Sequence, residues 1–129
     1  MSFKAIFEVD GNKYRVLECS YSLHQDYDNT GRPSSTTRGG IVDLVVESTD
    51  DTSIFEWMCD SYMKKDAKIT FNKRDEDSKM KELEIIEAYI VKYKESFDDS
   101  GSGAMLQYFT LSPRSIKMGN GEHENEWAI

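Results

Sequence analysis

The run KELEIIEAYIVKYKESF, from Lys81 to Phe97, constrains the fold more than any other stretch of the chain. Leu83, Ile85, Glu87, Tyr89, Val91 and Tyr93 alternate with Glu84, Ile86, Ala88, Ile90 and Lys92, a period of two that specifies a strand. Both faces carry apolar groups over part of the length. Such a strand is expected to sit centrally or to bridge two packed surfaces.

The same period recurs elsewhere. FKAIFEV sets Phe3, Ala5, Phe7 and Val9 on one face, with Lys4 and Glu8 on the other. Asp10-Gly11 supplies a tight hairpin turn, because Gly accepts positive φ, and YRVLECSYSLHQ returns with Leu17, Cys19, Tyr21 and Leu23 expected to share a face. GIVDLVVES reads as a third strand, buried on its Val42, Leu44 and Val46 side. The period changes in STDDTSIFEWMCDSYMKKD, where Ile54, Trp57, Met58, Ser61 and Tyr62 recur at helical spacing. Ser53 and Glu56 form a capping-box pattern, so a helix from about Ser53 to Lys64 is predicted. AKITFNK is then a short strand, RDEDSK a turn, DDSGSGA a flexible connection and MLQYFTLSPRSIKM a last strand interrupted at Pro113. A proline lacks the N–H a ladder needs, so an edge or a bulge is expected there.

Six or more strands with one helix make a mainly β protein. Long strands with few helices must hide their edges, so the expected architecture is an antiparallel β-barrel, closed or nearly closed, with one α-helix packed on its outside. At 129 residues, with 38% apolar and 12% aromatic composition, one domain spanning 1–129 can bury a core without disulfide or metal support. The longest apolar runs, IVDLVV and IIEAYIV, fall far short of the roughly 20 residues a membrane helix needs. MSFKAIFEV lacks the basic-then-apolar signal pattern, so cytosolic synthesis without Sec export is expected. Cys19 and Cys59 show no CxxC spacing and are expected to be buried thiols in a reducing compartment. A formal charge of −8 offers no field to a phosphate backbone, so no nucleic-acid partner is expected.

Residues that could carry chemistry are few. His24 ends a strand, and His123 stands among Glu122, Glu124 and Glu126 in an acidic tail whose expected flexibility would give a metal no fixed geometry. The carboxylate pairs Asp75/Asp77 and Asp98/Asp99 fall in turns, where Asp is favoured for local backbone bonding. The glycines of GNGEH and SGSGA lack the strand-to-helix context of a phosphate loop. No Ser or Cys is framed by a His partner, so no catalytic site, cofactor or metal is expected. What stands out is the polar stretch between His24 and Ile41, in which Arg32 and Arg38 flank PSSTT, Pro33 stiffens the base, and Gly31, Gly39 and Gly40 permit sharp turns. A loop of that length in a small domain is usually functional or disordered.

VLECSYSLHQ (Val16–Gln25), TGRPSSTTRGG (Thr30–Gly40), FEWMCDS (Phe55–Ser61), ITFNKRDEDSKMKELEIIEAYIVKYKESF (Ile69–Phe97) and FTLSPRSIKMGNGEHENEW (Phe109–Trp127) together resemble the Hcp family. These are the haemolysin co-regulated tube proteins of bacterial type VI secretion systems, and the similarity is greatest to their Bacteroidota branch. The resemblance implies a β-barrel of two packed sheets with a helix alongside, and a structural, non-enzymatic subunit. It further implies hexameric rings stacked into a hollow tube, with sheath proteins, a spike and effector cargo as partners. Such a protein assembles in the cytoplasm and is secreted through the apparatus without a signal peptide or membrane insertion. The sequence departs from proteobacterial members in carrying RPSSTTR in the long loop and an acidic tail ending in Trp127. Asp28 to Gly40 is the expected inter-subunit arm, and the expected interface residues are Tyr27, Asp28, Thr30, Arg32, Pro33, Arg38 and Trp127. The turns Asp75–Lys79 and Asp98–Gly103 are the next candidates. The competing class is a monomeric barrel that uses its mouth as a binding module or small enzyme, with His24 and the tail acids as its only chemistry.

Overall fold

The structure is a computed structural model that describes residues 3–73, 79–101 and 103–127. Its elements are β1 (Phe3–Val9), β2 (Asn12–His24), β3 (Arg38–Glu47), α1 (Ser53–Cys59), β4 (Lys65–Lys73), β5 (Lys79–Phe97), β6 (Met105–Met118) and β7 (Gly121–Glu124). All strand pairs are antiparallel, in the order β3-β2-β1-β4-β5-β6-β7, and a further pairing of β3 with β6 closes the first six into a barrel. Closure removes the edges that long strands would otherwise expose. β5 lies between β4 and β6, as its two-faced apolar pattern requires.

Register carries the core across four strands. Cys19, Leu44, Phe109 and Tyr93 stand side by side on β2, β3, β6 and β5. The adjacent inward row is Tyr21, Val42, Leu111 and Ile90. Phe7, Val9, Tyr14, Ile69, Leu83, Ile85 and Ala88 complete the interior with Ile54 and Trp57 of α1. The alternation expected for β1 holds inward from Ala5, with Phe7 and Val9 buried; Phe3 is exposed at the strand's start.

Three bulges break alternation where the sequence gives no sign of it. Val16 pairs with Val46 and Glu18 with Val45, which leaves Leu17 as an extra residue on β2. Parity flips there, so Leu17 points outward and Val16, Cys19 and Tyr21 pack on the core; Leu23 is also exposed. On β5, Glu87 adopts φ +48 and its N–H donates to Asp66 Oδ1 at 2.8 Å. The inward set therefore shifts from Leu83 and Ile85 to Ala88 and Ile90. A second irregularity between Ile90 and Lys92 turns Val91 out and returns Tyr93 to the interior. The expected set of Leu83, Ile85, Tyr89, Val91 and Tyr93 on one face is corrected accordingly.

Pro113 is buried opposite Ala88 of β5. On its other flank β6 changes partner, from β3 through Leu111 to β7 from Ser115, so the missing N–H falls in the gap. The Asn125 amide spans that gap, donating to Pro113 O at 3.1 Å and Gly39 O at 3.3 Å.

Helix α1 ends at Cys59, five residues before the expected Lys64. Asp60 is already extended, and the Trp57 indole donates to Met63 O at 2.9 Å, drawing the chain back along the helix. Ile54 and Trp57 are buried as the helical spacing predicts, but Tyr62 is 83% exposed. The capping box is not formed: Thr52 is the N-cap, and Ser53 bonds instead to Asp51, its Oγ donating at 2.5 Å. Two more expectations change. Cys59 is exposed rather than buried, and part of the acidic tail is a strand, β7, rather than a flexible end. The RDEDSK turn, with Asp75 and Asp77, lies outside the described residues except for its last lysine, Lys79.

Candidate assembly surface

The segment 25–37 joins β2 to β3 and is an ordered hairpin. Its architecture starts at Asp28, whose Oδ1 accepts from Thr30 Oγ1 at 2.7 Å, Thr30 N at 2.9 Å and Arg32 N at 3.1 Å. The Thr30 hydroxyl bond, then the backbone N–H bonds, hold the Asp28 carboxyl below the usual carboxylate range. Asp28 N donates to Arg32 O at 2.9 Å, and Gly31, at φ +88, closes the turn by donating to Asp28 O at 3.0 Å. Below the tip Tyr27 bridges to Pro33. Ser34 N donates to Asp26 O, and the Ser35 hydroxyl accepts from Asp26 N at 2.9 Å, so side chains finish what the backbone ladder leaves unpaired.

At the foot of the hairpin the chain passes so close to β2 that a Cβ on Gly39, at φ +113, would stand 2.5 Å from Ser22 O. Glycine is required there.

The hairpin covers almost none of its own barrel. Every residue from Gln25 to Thr37 except Ser35 is exposed, and Tyr27 keeps 76% of its surface in solvent. Arg38 is the first residue of β3 and pairs with Asp26 at 3.4 Å. Among the described residues Arg32 has no ion-pair partner. Six of the seven expected interface residues are thereby gathered on one projecting hairpin and its base. Trp127 lies elsewhere: it packs on Tyr89, ring centroids 5.1 Å apart, beneath the Arg114 guanidinium at 5.2 Å. Arg114 in turn is ion-paired with Glu87 Oε2 at 2.9 Å, so the tail is held to its own β5 and β6.

Sequence reasoning missed Asp26, Ser34 and Ser35, the braces of the hairpin. The clue available was composition, since Asp and Ser facing each other across a Gly-Arg-Pro turn are local backbone-bonding residues. The candidates for barrel-mouth chemistry are placed as follows. His24 is exposed at the end of β2, and His123 Nε2 bonds Asn125 Oδ1 at 2.8 Å. The Asn125 amide already donates to two carbonyls, so its oxygen accepts and the His123 nitrogen is the donor. Both histidines lie at the hairpin end of the barrel, whose interior is filled by the core.

The barrel fold recurs among solved structures. A chain of the PVC sheath–tube complex of an extracellular contractile injection system superposes with TM-score 0.55 at 19% identity, covering 89% of this chain and 87% of that one. Hcp1 from Salmonella typhimurium gives TM-score 0.73 at 14% identity, with 92% and 86% covered. Hcp1 from Flavobacterium johnsoniae gives TM-score 0.88 at 45% identity over 95% of this chain and 99% of that one. Residues 1–128 match the family described as Hemolysin coregulated protein Hcp (TssD), and the chain belongs to that family. Comparison with curated proteins finds no match.

Proposed function

We propose that this protein is the inner-tube subunit of a type VI secretion system, forming hexameric rings that stack head to tail around a lumen through which effectors travel. Family membership over residues 1–128 is the observation that carries this reading. The fold supports it, because an ordered hairpin that leaves nearly all its surface in water is an element prepared for another chain. Membership of the Hcp family supports a structural rather than an enzymatic role. The subunit assembles in the cytoplasm, meets sheath and spike proteins there, and leaves through the apparatus.

Charge sets a condition on this assembly. At −8 per chain, six copies carry −48, and such rings repel unless cations are placed locally against acids. Arg32, without an ion-pair partner among the described residues, and Arg38, weakly engaged at the surface, are the cations available on the hairpin. Light scattering of purified protein across a wide concentration range is the test. A mass of six subunits or multiples of it is expected, and a species that stays at 14.9 kDa throughout would overturn the proposal.

A further inference from the structure

Residues 121–127 are tied to the foot of the projecting hairpin within the same chain. β6 pairs with β3 through Leu111 and with β7 from Ser115, and this segment lies across the point where β6 changes partner. Asn125 sits at that junction with its N–H and its whole side-chain amide engaged. The N–H donates to Arg114 O at 2.7 Å, the two amide hydrogens go to Pro113 O and Gly39 O, and Oδ1 accepts from His123 Nε2 at 2.8 Å. His123 in turn lies against Gly40, where a Cβ would stand 3.4 Å from its Cδ2. Gly39 and Gly40, at φ +113 and +90, follow Arg38 at the start of β3, where the hairpin joins the barrel wall. Two residues beyond Asn125, the half-buried Trp127 fastens the segment on Tyr89 and Arg114. The Arg114–Glu87 pair extends this anchor to Lys64, which meets Glu87 at 3.5 Å.

We infer that residues 121–127 are a releasable strap that holds the foot of the β2–β3 hairpin to the barrel, with Trp127 as its latch and Asn125 and His123 as positioning residues. The hairpin braces itself only above its foot, through Asp26, Asp28 and Ser35, and those bonds fix its shape but not its attachment to the wall. At the foot stand two successive glycines, where no side chain restricts the backbone, and the pairing with β2 shifts register between Tyr21 and Leu23. Asn125 and His123 supply the contacts that cross this weak point. The strap is itself lightly held: β7 is a four-residue edge strand, and past Glu124 the segment depends on Asn125 and Trp127. A segment that buries so little opens at lower free energy than the barrel beneath it. On opening, Gly39 O and Pro113 O lose their shared donor, so the strap and the hairpin foot are linked through one side-chain amide that is either seated or withdrawn. The coupling is internal to one chain and holds whether or not the chain forms a tube. On the tube reading it makes the C-terminal segment a control on how the hairpin is presented.

Amide hydrogen exchange read by mass spectrometry tests the coupling, at a concentration where light scattering shows the parent and its variants in the same state of association. Trp127→Ala removes the latch without touching the hairpin. Losing one aromatic pair and one cation–π contact should speed exchange in the strap and in the hairpin foot, residues 22–41, by roughly five- to fiftyfold. Peptides from β1 and β4 should exchange as in the parent, and Trp127→Phe, which still stacks on Tyr89 and Arg114, should restore most of the protection. Asn125→Asp, which replaces the donor to Gly39 O by a carboxylate, should loosen the foot with Trp127 intact. A strap that exchanges faster in Trp127→Ala while the foot does not would overturn the coupling. Uniform acceleration across the whole barrel would also overturn it, by showing that the segment only adds global stability, and no change in either segment would overturn the latch. Light scattering decides the tube reading separately, so neither failure entails the other.

Discussion

Truncating Trp57 tests the packing argument at its most sensitive point. The side chain is 0% exposed, belongs to the single core cluster, and its indole N–H satisfies Met63 O at 2.9 Å. Trp57→Ala removes the ring from a close-packed interior, a change that costs about 3–5 kcal/mol. The lost hydrogen bond adds about 1 kcal/mol. Some 4–6 kcal/mol is thus set against the roughly 5–15 kcal/mol of a typical domain. With a urea slope near ~2 kcal/mol/M, the midpoint should fall by roughly 2–3 M. The measurement is urea unfolding followed by far-UV circular dichroism, at a protein concentration low enough that association does not add stability by mass action. Trp57→Phe separates the two contributions: it keeps most of the packing, loses the N–H, and should lie much nearer the parent. A midpoint that barely moves in Trp57→Ala would refute the core placement of α1. Equal losses in both variants would show that the Met63 bond, and not ring packing, carries the energy.

Asp51 accepts from the Ser53 hydroxyl and from the Tyr14 hydroxyl, and these bonds, in that order, hold its carboxyl below the usual range. Its contribution is therefore present above the unfolded carboxylate pKa and lost as pH falls through the depressed folded value, so Asp51→Asn should lower the thermal midpoint at pH 7 and approach the parent in acid. Tyr14, pushed up to about 12 by burial and the Asp51 contact, has the opposite sign: its contribution is intact below pH 10.0 and lost as pH rises toward 12, an alkaline loss that Tyr14→Phe should lack. Gly39→Ala, where the new Cβ meets Ser22 O, should destabilise by more than about 1 kcal/mol, and by more than Gly11→Ala, where the Cβ meets open space; equal effects on thermal midpoint would contradict the close approach. Arg32→Glu with Arg38→Glu should leave circular dichroism and thermal midpoint nearly unchanged, since the one ion pair lost, to Asp26, is exposed and worth under about 1 kcal/mol. The same variant should fail to stack and to be secreted, and parental secretion would return the hairpin to the status of a solvent loop.

Most strands were legible because a barrel wall buries one face, and a period of two must then appear in the residues. The DG turn was legible for a local reason: Asp10 and Gly11 both take positive φ, at 53° and 79°. The bulges at Leu17, Glu87 and Val91 were not. Each is set by which residue of a neighbouring strand it faces, and a chain read alone contains no register. Helix length failed for a related reason. Met58, Ser61 and Tyr62 continue the helical spacing, but a side-chain hydrogen bond from the buried Trp57 indole to Met63 O accompanies the end of the helix at Cys59. The acidic tail was read as flexible because Gly121–Glu124 has little to bury; its order comes from pairing with Ser115–Met118 and from Trp127 lying on Tyr89 and Arg114.

The candidate surface was legible in part, and the physics of loops explains which part. Gly31, Pro33 and the two arginines announce a turn with charge on it, and the structure gathers them on one hairpin. What composition could not reveal is that the hairpin is already ordered: Asp28 closes its tip and Asp26 with Ser35 brace its stem, so its conformation exists before any partner arrives. That changes the energetics of assembly. A disordered arm would lose its freedom on docking, at a cost of several kcal/mol per copy, whereas a braced one sets its ordering against its own hydrogen bonds during folding. Tyr27 and Arg32 can then meet a neighbour with most of their contact energy unspent, and in the proposed ring such weak contacts would act together once one subunit is placed. Asp28→Ala probes this directly. It removes three acceptor bonds at the tip without touching Tyr27, Arg32 or the barrel, so the thermal midpoint should change little while the concentration needed for stacking rises several-fold. If Asp28→Ala stacks at the parental concentration, preorganisation of the hairpin contributes nothing to assembly, and the contact chemistry alone must account for it.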